Sequence, residues 1–143
     1  MTLLISDTRT RILSPAPRAE WLAVYESDPN ALIYHHPAWV DLMCAFAGFQ
    51  DASRLYELPG DRYAVLPMVR RQLLGAPLWE ASFPPAWGQG GLLASGGVGP
   101  GDLAVMFEDL RRRRVPRISL RPNPLSIPAW EEARPAGVIT VPR

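Results

Sequence analysis

The spacing of hydrophobic residues predicts three helices. They are expected over residues 14–27, 36–48 and 100–113, each with a proline in or near its first turn. The middle helix has the clearest boundaries, with His36 at the capping position and Gly48 at the C-terminal stop. Its apolar residues recur at i, i+3, i+4 and i+7, which predicts one buried face. That face comprises Trp39, Leu42, Met43 and Phe46.

Strand-like runs replace the helical spacing between the second and third helices. They cover residues 54–58, 63–70 and 73–82, and a Pro-Gly-Asp turn at 59–61 joins the first two. We expect these three runs to form an antiparallel meander. Shorter elements are expected at 3–5, 117–120 and 138–141 as strands and at 129–133 as a helical turn.

This order of elements predicts an α/β (α+β) fold. Two helices precede three strands, and a further helix is followed by more strands. That arrangement is typical of a mixed, largely antiparallel sheet flanked by helices. The length of 143 residues suits one domain, spanning 1–143, with a core that needs no disulfide or metal.

Composition excludes several classes of function. The net charge of +1 gives no reason to expect DNA as a partner, and the run 111–114 of four arginines fits a solvated helix end. The apolar stretches are shorter than the roughly 20 residues of a membrane span. A single cysteine, Cys44, suits a reducing compartment, so we expect a cytoplasmic protein. All basic residues apart from histidine are arginines, which excludes a catalytic lysine in this chain.

The most unusual segment is the run S-F-P-P-A-W-G-Q-G-G at 82–91. It combines aromatic residues, which favour burial, with glycines, which let a backbone or a ligand approach closely. Trp87 belongs to no periodic face, and two roles remain open for it: lining a cleft or sealing the core. The residues of this segment expected to bind substrate are Trp87, Gly88, Gln89, Gly90 and Gly91.

His36 and Arg70 are further candidates for substrate binding. His36 has a capping position that explains it, and a substrate contact is the alternative. Adjacent side chains such as His35 and His36 diverge, and no ligand set stands at metal spacing, so we expect no metal site. Arg70 ends a strand, where its guanidinium would be solvated or would hold a phosphate or carboxylate.

Acidic residues are the candidates for a general base. Glu80 precedes the glycine-rich segment and is the acid that local structure explains least. Glu108 and Asp109 are expected on an exposed helix face. No serine stands in a nucleophile elbow, and Cys44 has no evident activating base, so the catalytic residues remain unknown.

Three motifs, in order, resemble the amino-terminal half of FemAB-like transferases, which are double-GNAT proteins. They are H-H-P-A-W-V-D-L-M at 35–43, V-L-P-M-V-R-R at 65–71 and F-P-P-A-W-G-Q-G-G at 83–91. The resemblance extends from about Trp21 to the C-terminus. It implies a GNAT-like domain and a parent protein that moves an acyl or aminoacyl group to an amine, either a small molecule or a cell-wall precursor.

The resemblance also implies that the activated donor, acetyl-CoA or aminoacyl-tRNA, binds mostly in a second GNAT-like domain. The GNAT phosphate loop has the pattern Q/R-x-x-G-x-G/A, and its nearest match here, at 72–77, ends in Pro77, which offers no backbone N–H. FemAB-like proteins are about twice this length. We therefore expect an amino-terminal half that binds no cofactor and is inactive alone.

Two alternatives to this half-protein remain open. One is a stand-alone binding or scaffold module that has a GNAT-like fold without the chemistry. The other is a small, complete acetyl-CoA transferase.

Overall fold

A computed structural model describes residues 9–82 and 89–139 of the chain. Its helices are α1 (Arg18–Ser27), α2 (Pro37–Ala47), α3 (Pro100–Arg111) and α4 (Ile127–Ala133), with 3-10 helices at Ile33–His35 and Pro124–Ser126. Its strands are β1 (Ile12–Leu13), β2 (Gln50–Asp51), β3 (Arg54–Leu58), β4 (Arg62–Leu66), β5 (Val69–Leu73), β6 (Ala76–Ala81), β7 (Leu93–Ala94) and β8 (Ile118–Ser119). The three predicted helices and the helical turn are confirmed, with bounds shifted by a few residues.

The strands form two sheets. The first has the order β1-β3-β4-β7 and is antiparallel throughout. The second has the order β2-β5-β6-β8, in which β6 and β8 run parallel. The fold is therefore α+β with mostly antiparallel sheets, which confirms the predicted class.

The predicted three-stranded meander is wrong. The run 63–70 is divided at Pro67 and Met68, where β4 ends in the first sheet and β5 begins the second. Proline has no N–H to donate to a strand ladder, which is a physical reason for the break at this point. The result is two hairpins, β3–β4 and β5–β6, instead of one meander.

The first sheet is buried on both faces, because neighbouring side chains of a strand point to opposite sides. Leu55 and Val65 join a core that contains Trp21 of α1 and Met43 of α2. Tyr56 and Leu66, one residue further along each strand, join a second core. That core contains Leu103, Met106 and Leu110 of α3 and Trp130 of α4.

The predicted buried face of α2 is partly wrong. Met43 is buried as expected, but Leu42 is 42% and Phe46 83% exposed. The helix instead buries Pro37 and Val40 with Met43. Successive residues of a helix are about 100° apart, so the buried face centred on Val40 lies about one residue's turn away from the predicted face, which leaves Leu42 and Phe46 pointing outward.

Some predicted elements fall at or beyond the limits of the described residues. The strand expected at 3–5 lies outside them, as does the end of the one expected at 138–141. Val138 and Ile139 belong to no strand, whereas Ile12 and Leu13 form β1 beside β3. None of the helices within 9–82 and 89–139 has the length and apolar character that a bilayer crossing requires.

Candidate functional site

The two ends of the glycine-rich segment lie against each other. A methyl group placed on Gly90 would come 3.0 Å from the carbonyl oxygen of Ser82, so the close approach favours glycine at this position. Gln89 is exposed, whereas Gly90 is buried. The intervening residues 83–88 lie outside the described residues, and the predictions for Trp87 and Gly88 fall there.

The backbone of Arg121 binds both ends of the segment. Its N–H donates to Ser82 Oγ at 2.8 Å, and its carbonyl oxygen accepts from the N–H of Gly90 at 3.2 Å. The Ser82 N–H donates to the carbonyl of Ser119 at 3.0 Å, which continues the β6–β8 pairing. We call Ser82, Gly90 and Arg121, together with His35, the clamp.

Gly91 is fixed by both its conformation and its surroundings. Its φ of +96° is a conformation that residues with a side chain rarely adopt. An added Cβ would lie 3.1 Å from Trp130 Cζ2 and 3.2 Å from the backbone nitrogen of Asn123. Gly91 is buried against these groups, so the structure gives it a packing role behind the clamp.

His35 completes the clamp from the opposite side. Its Nδ1 lies 2.9 Å from the backbone nitrogen of Leu32, and its Nε2 lies 3.0 Å from the carbonyl oxygen of Gly90. A backbone N–H only donates and a carbonyl only accepts, so Nδ1 must accept and Nε2 must carry the hydrogen. His35 is fully buried, and this burial lowers its pKa below the usual range. The imidazole is therefore neutral.

His35 is the residue that sequence reasoning missed. His36 was predicted to cap α2, and that prediction is confirmed: His36 Nδ1 accepts from the N–H of Ala38 at 3.1 Å. The His36 ring also packs edge-on against Tyr25, with centroids 5.2 Å apart. The clamp histidine is its neighbour, and no local pattern links His35 to a glycine 55 positions away.

Arg70 and Glu80 face each other across β5 and β6. Arg70 Nη2 and Nε donate to Glu80 Oε1 at 2.6 and 2.9 Å. Arg113, just beyond α3, donates to the same oxygen. Glu80 is fully buried, and its Oε2 has no hydrogen-bond partner among the described residues. The arrangement gathers two guanidinium groups on one carboxylate, two residues before the clamp residue Ser82.

Asp109 is not on an exposed helix face, contrary to the prediction. It is buried, and its two oxygens accept from Arg54 Nε at 2.5 Å and Nη2 at 2.7 Å. Tyr56 also donates its hydroxyl to Asp109 at 2.8 Å. Burial, followed by the negative charge of Asp109, raises the pKa of Tyr56 well above its usual value. This cluster joins β3 to α3 and leaves Asp109 unavailable as a base.

The near match to the GNAT phosphate loop forms a hairpin. Residues 72–77 close the turn between β5 and β6, with Leu74 and Gly75 at φ values of +53° and +79°. A phosphate loop leads into a helix, whose first N–H groups bind the anion. Here the turn leads into a strand, so it has no helix N-terminus to offer. The described part of the chain also contains no group of three or more His, Cys, Asp or Glu side chains arranged to hold a metal.

Comparison with known proteins gives no relative. A scan against protein-family models, a search of curated proteins and a search of solved structures each found no match to this chain.

Proposed function

We propose that this chain is the amino-terminal GNAT-like domain of an acyl- or aminoacyltransferase, in which segment 82–91 forms one wall of the cleft for the acceptor amine. The observation that carries the proposal is the clamp. Gly90 is held by the His35 side chain and by the Arg121 backbone, and Ser82 is held by Arg121 as well. Binding segments are commonly presented by a rigid scaffold, and the clamp provides one.

In this proposal the domain supplies acceptor contacts and the activated donor binds elsewhere. The candidate contacts are Trp87, Gly88 and Gln89, with Gly90 and Gly91 shaping the base. Acetyl-CoA or aminoacyl-tRNA would bind mostly to a second GNAT-like domain. Two observations support this division of labour: the 72–77 turn leads into a strand, and Asp109 is committed to Arg54 and Tyr56. The reaction would take place in the cytoplasm.

A stand-alone binding module is the second candidate, and Glu80 favours it. Glu80 is the acid nearest in sequence to the glycine-rich segment, and both Arg70 and Arg113 hold it. A general base must lie within hydrogen-bond reach of the proton it removes. A fully buried carboxylate paired with two cations meets that need poorly, whereas a binding module has no such need.

The test compares the 143-residue chain with the protein translated from the complete reading frame that contains it. We call that protein the complete product. Each is incubated with labelled acetyl-CoA or aminoacyl-tRNA and a panel of amines, including a cell-wall precursor. We expect transfer by the complete product, and neither transfer nor micromolar acetyl-CoA binding by the 143-residue chain. Micromolar binding of acetyl-CoA to this chain in calorimetry would refute the division of labour. Absence of transfer by the complete product would favour the binding module.

Trp87→Ala in the complete product tests the cleft. It should reduce turnover more than it reduces the melting temperature. Phe46→Ala is the matched control, because it removes an aromatic ring that is 83% exposed on α2. If Trp87→Ala lowers the melting temperature while turnover is unchanged, the segment seals the core instead.

A further inference from the structure

Arg70 and Arg113 lie side by side because both bind one oxygen of Glu80. The side chain of Glu80 is completely buried. The side chains of Arg70 and Arg113 are 21% and 24% exposed, so part of each reaches solvent. A buried anion thus holds two partly exposed guanidinium groups at the end of α3, where β5 and β6 pair.

The charges in this cluster do not balance. Two guanidinium groups share one carboxylate, which leaves one positive charge that is partly removed from water. The neighbouring acids of α3 have other partners: Glu108 binds Arg111 and Arg112, and Asp109 binds Arg54. Five of the seven residues at 111–117 are arginines. The local potential is therefore positive and attracts anions.

The hydrogen bonding of the cluster is incomplete as well. Two guanidinium groups carry ten N–H donors, and three of them bind Glu80. Glu80 Oε2 and Arg113 Nε are both buried without a partner among the described residues, and of the two only Nε is a donor that an anion can satisfy. A buried donor without a partner is costly, and a bound water or ion is the usual way in which such a group is satisfied. One arginine would suffice to neutralise Glu80.

We infer that Arg70 and Arg113, oriented by the buried Glu80, bind an oxyanion, namely the phosphate group of a small ligand. Guanidinium presents its donors in a planar fork that matches two oxygens of such a group. The anion would neutralise the excess charge and accept from N–H groups that Glu80 leaves unused. Glu80 acts here as a positioning residue. This inference does not depend on acyl transfer, because it concerns the cluster alone.

The experiment titrates the 143-residue chain with inorganic phosphate and with pyrophosphate, followed by calorimetry and by amide chemical shifts. Acetate is the comparison ligand, because it separates a phosphate site from a general carboxylate site. We expect saturable phosphate binding, weaker acetate binding, and shift changes centred on residues 70, 80 and 113. If binding does not saturate at millimolar phosphate, or if acetate binds as tightly, the inference is wrong.

Arg113→Gln and Arg70→Gln test the two guanidinium groups separately. Each variant leaves a neutral pair between Glu80 and the remaining arginine, so the fold and melting temperature should be preserved. Phosphate affinity should fall at least tenfold in both. Arg111→Gln is the matched control, because it removes the same charge from the same helix end, at a side chain paired with Glu108. It should change the affinity less than twofold.

Two outcomes of the variants would overturn the inference. Equal losses in Arg111→Gln and Arg113→Gln would show diffuse attraction rather than a built site. Unchanged affinity in Arg113→Gln would show that the pair serves stability.

If Arg113→Gln does not fold, Arg113→Lys replaces it, because lysine keeps the charge and loses the planar fork. Affinity should then fall severalfold with the fold intact, and full affinity would again overturn the inference.

Discussion

His35 Nε2 donates a hydrogen bond to the carbonyl of Gly90 at 3.0 Å, and this contact joins the turn before α2 to the end of the glycine-rich segment. Trp21 Nε1 supports it from behind by donating to the carbonyl of His35 at 2.9 Å. Both contacts are buried. Through them α1, the 3-10 helix at Ile33–His35 and the clamp act as one packed unit.

Replacing His35 should open the clamp. His35→Phe preserves a ring but leaves the N–H of Leu32 and the carbonyl of Gly90 without partners, at a cost of about 1–3 kcal/mol in unfolding free energy. Hydrogen exchange at the Gly90 amide should become faster. The control is His36→Ala, which removes a cap worth about 1 kcal/mol and should leave Gly90 protected. Unchanged protection of Gly90 in His35→Phe would contradict the clamp.

Stability should depend on pH through His35. Its pKa is lowered in the folded state by burial, although the hydrogen bond to Gly90 and the nearby Asp28 partly oppose this effect. Below the unfolded-state pKa of about 6.5 the unfolded chain binds a proton that the folded chain does not. The free energy of unfolding is therefore at its full value above that pKa and falls as the pH drops toward the folded-state pKa.

Urea unfolding between pH 7.5 and 5.5 measures this dependence. His35→Gln should flatten the slope, because glutamine has no proton to gain, whereas His36→Gln should keep it. A slope that survives in His35→Gln would assign the dependence to another group.

Gly91→Ala should be more damaging than alanine at another glycine with positive φ. Gly91 and Gly96 have φ values of +96° and +75°, so both substitutions strain the backbone. At Gly91 the new methyl group also meets Trp130 Cζ2 at 3.1 Å, whereas at Gly96 nothing lies within 4 Å. Thermal unfolding should show an additional loss of about 1–3 kcal/mol in Gly91→Ala. Equal losses of stability in Gly91→Ala and Gly96→Ala would mean that the backbone at Gly91 can move away from Trp130.

Asp109→Asn should destabilise the domain strongly. It leaves the buried Arg54 guanidinium without its charged partner, and breaking such a pair costs about 3–5 kcal/mol. Glu108→Gln, one residue earlier, breaks exposed ion pairs with Arg111 and Arg112 and should change the melting temperature little. Denaturant unfolding of both variants separates the two cases. Similar denaturation midpoints for the two variants would contradict this prediction, because they would show that the Arg54–Asp109 pair is as open to solvent as the pairs of Glu108.

Local signals in the sequence predicted local structure well. The bounds of α2 followed from His36 at its start and from Gly48, whose φ of +68° ends the helix. The strand Arg54–Leu58 was also predicted, because its length and flanking turn are encoded nearby. Which side of α2 is buried was predicted less well, since that depends on the sheet against which Val40 and Met43 pack.

Contacts between distant residues could not be predicted from the sequence. The division at Pro67 places β4 and β5 in different sheets, and strand pairing over long separations leaves no periodic signal. Arg70 was singled out for its chemistry, but its pairing with Glu80 depends on the register of the β5–β6 hairpin. Arg113 looked like one of four equivalent cations at 111–114, and only the fold distinguishes it.

The clamp also sets an order of events during synthesis. Ser82 and Gly90 are translated well before Arg121, whose backbone N–H and carbonyl hold them together. Until Arg121 has emerged from the exit tunnel of the ribosome, the clamp lacks those two hydrogen bonds. This holds even if α1, α2 and the two hairpins have already formed. Domains generally fold as units, and this one acquires the base of its glycine-rich segment late. A nascent chain shorter than this point would present the segment to chaperones and proteases.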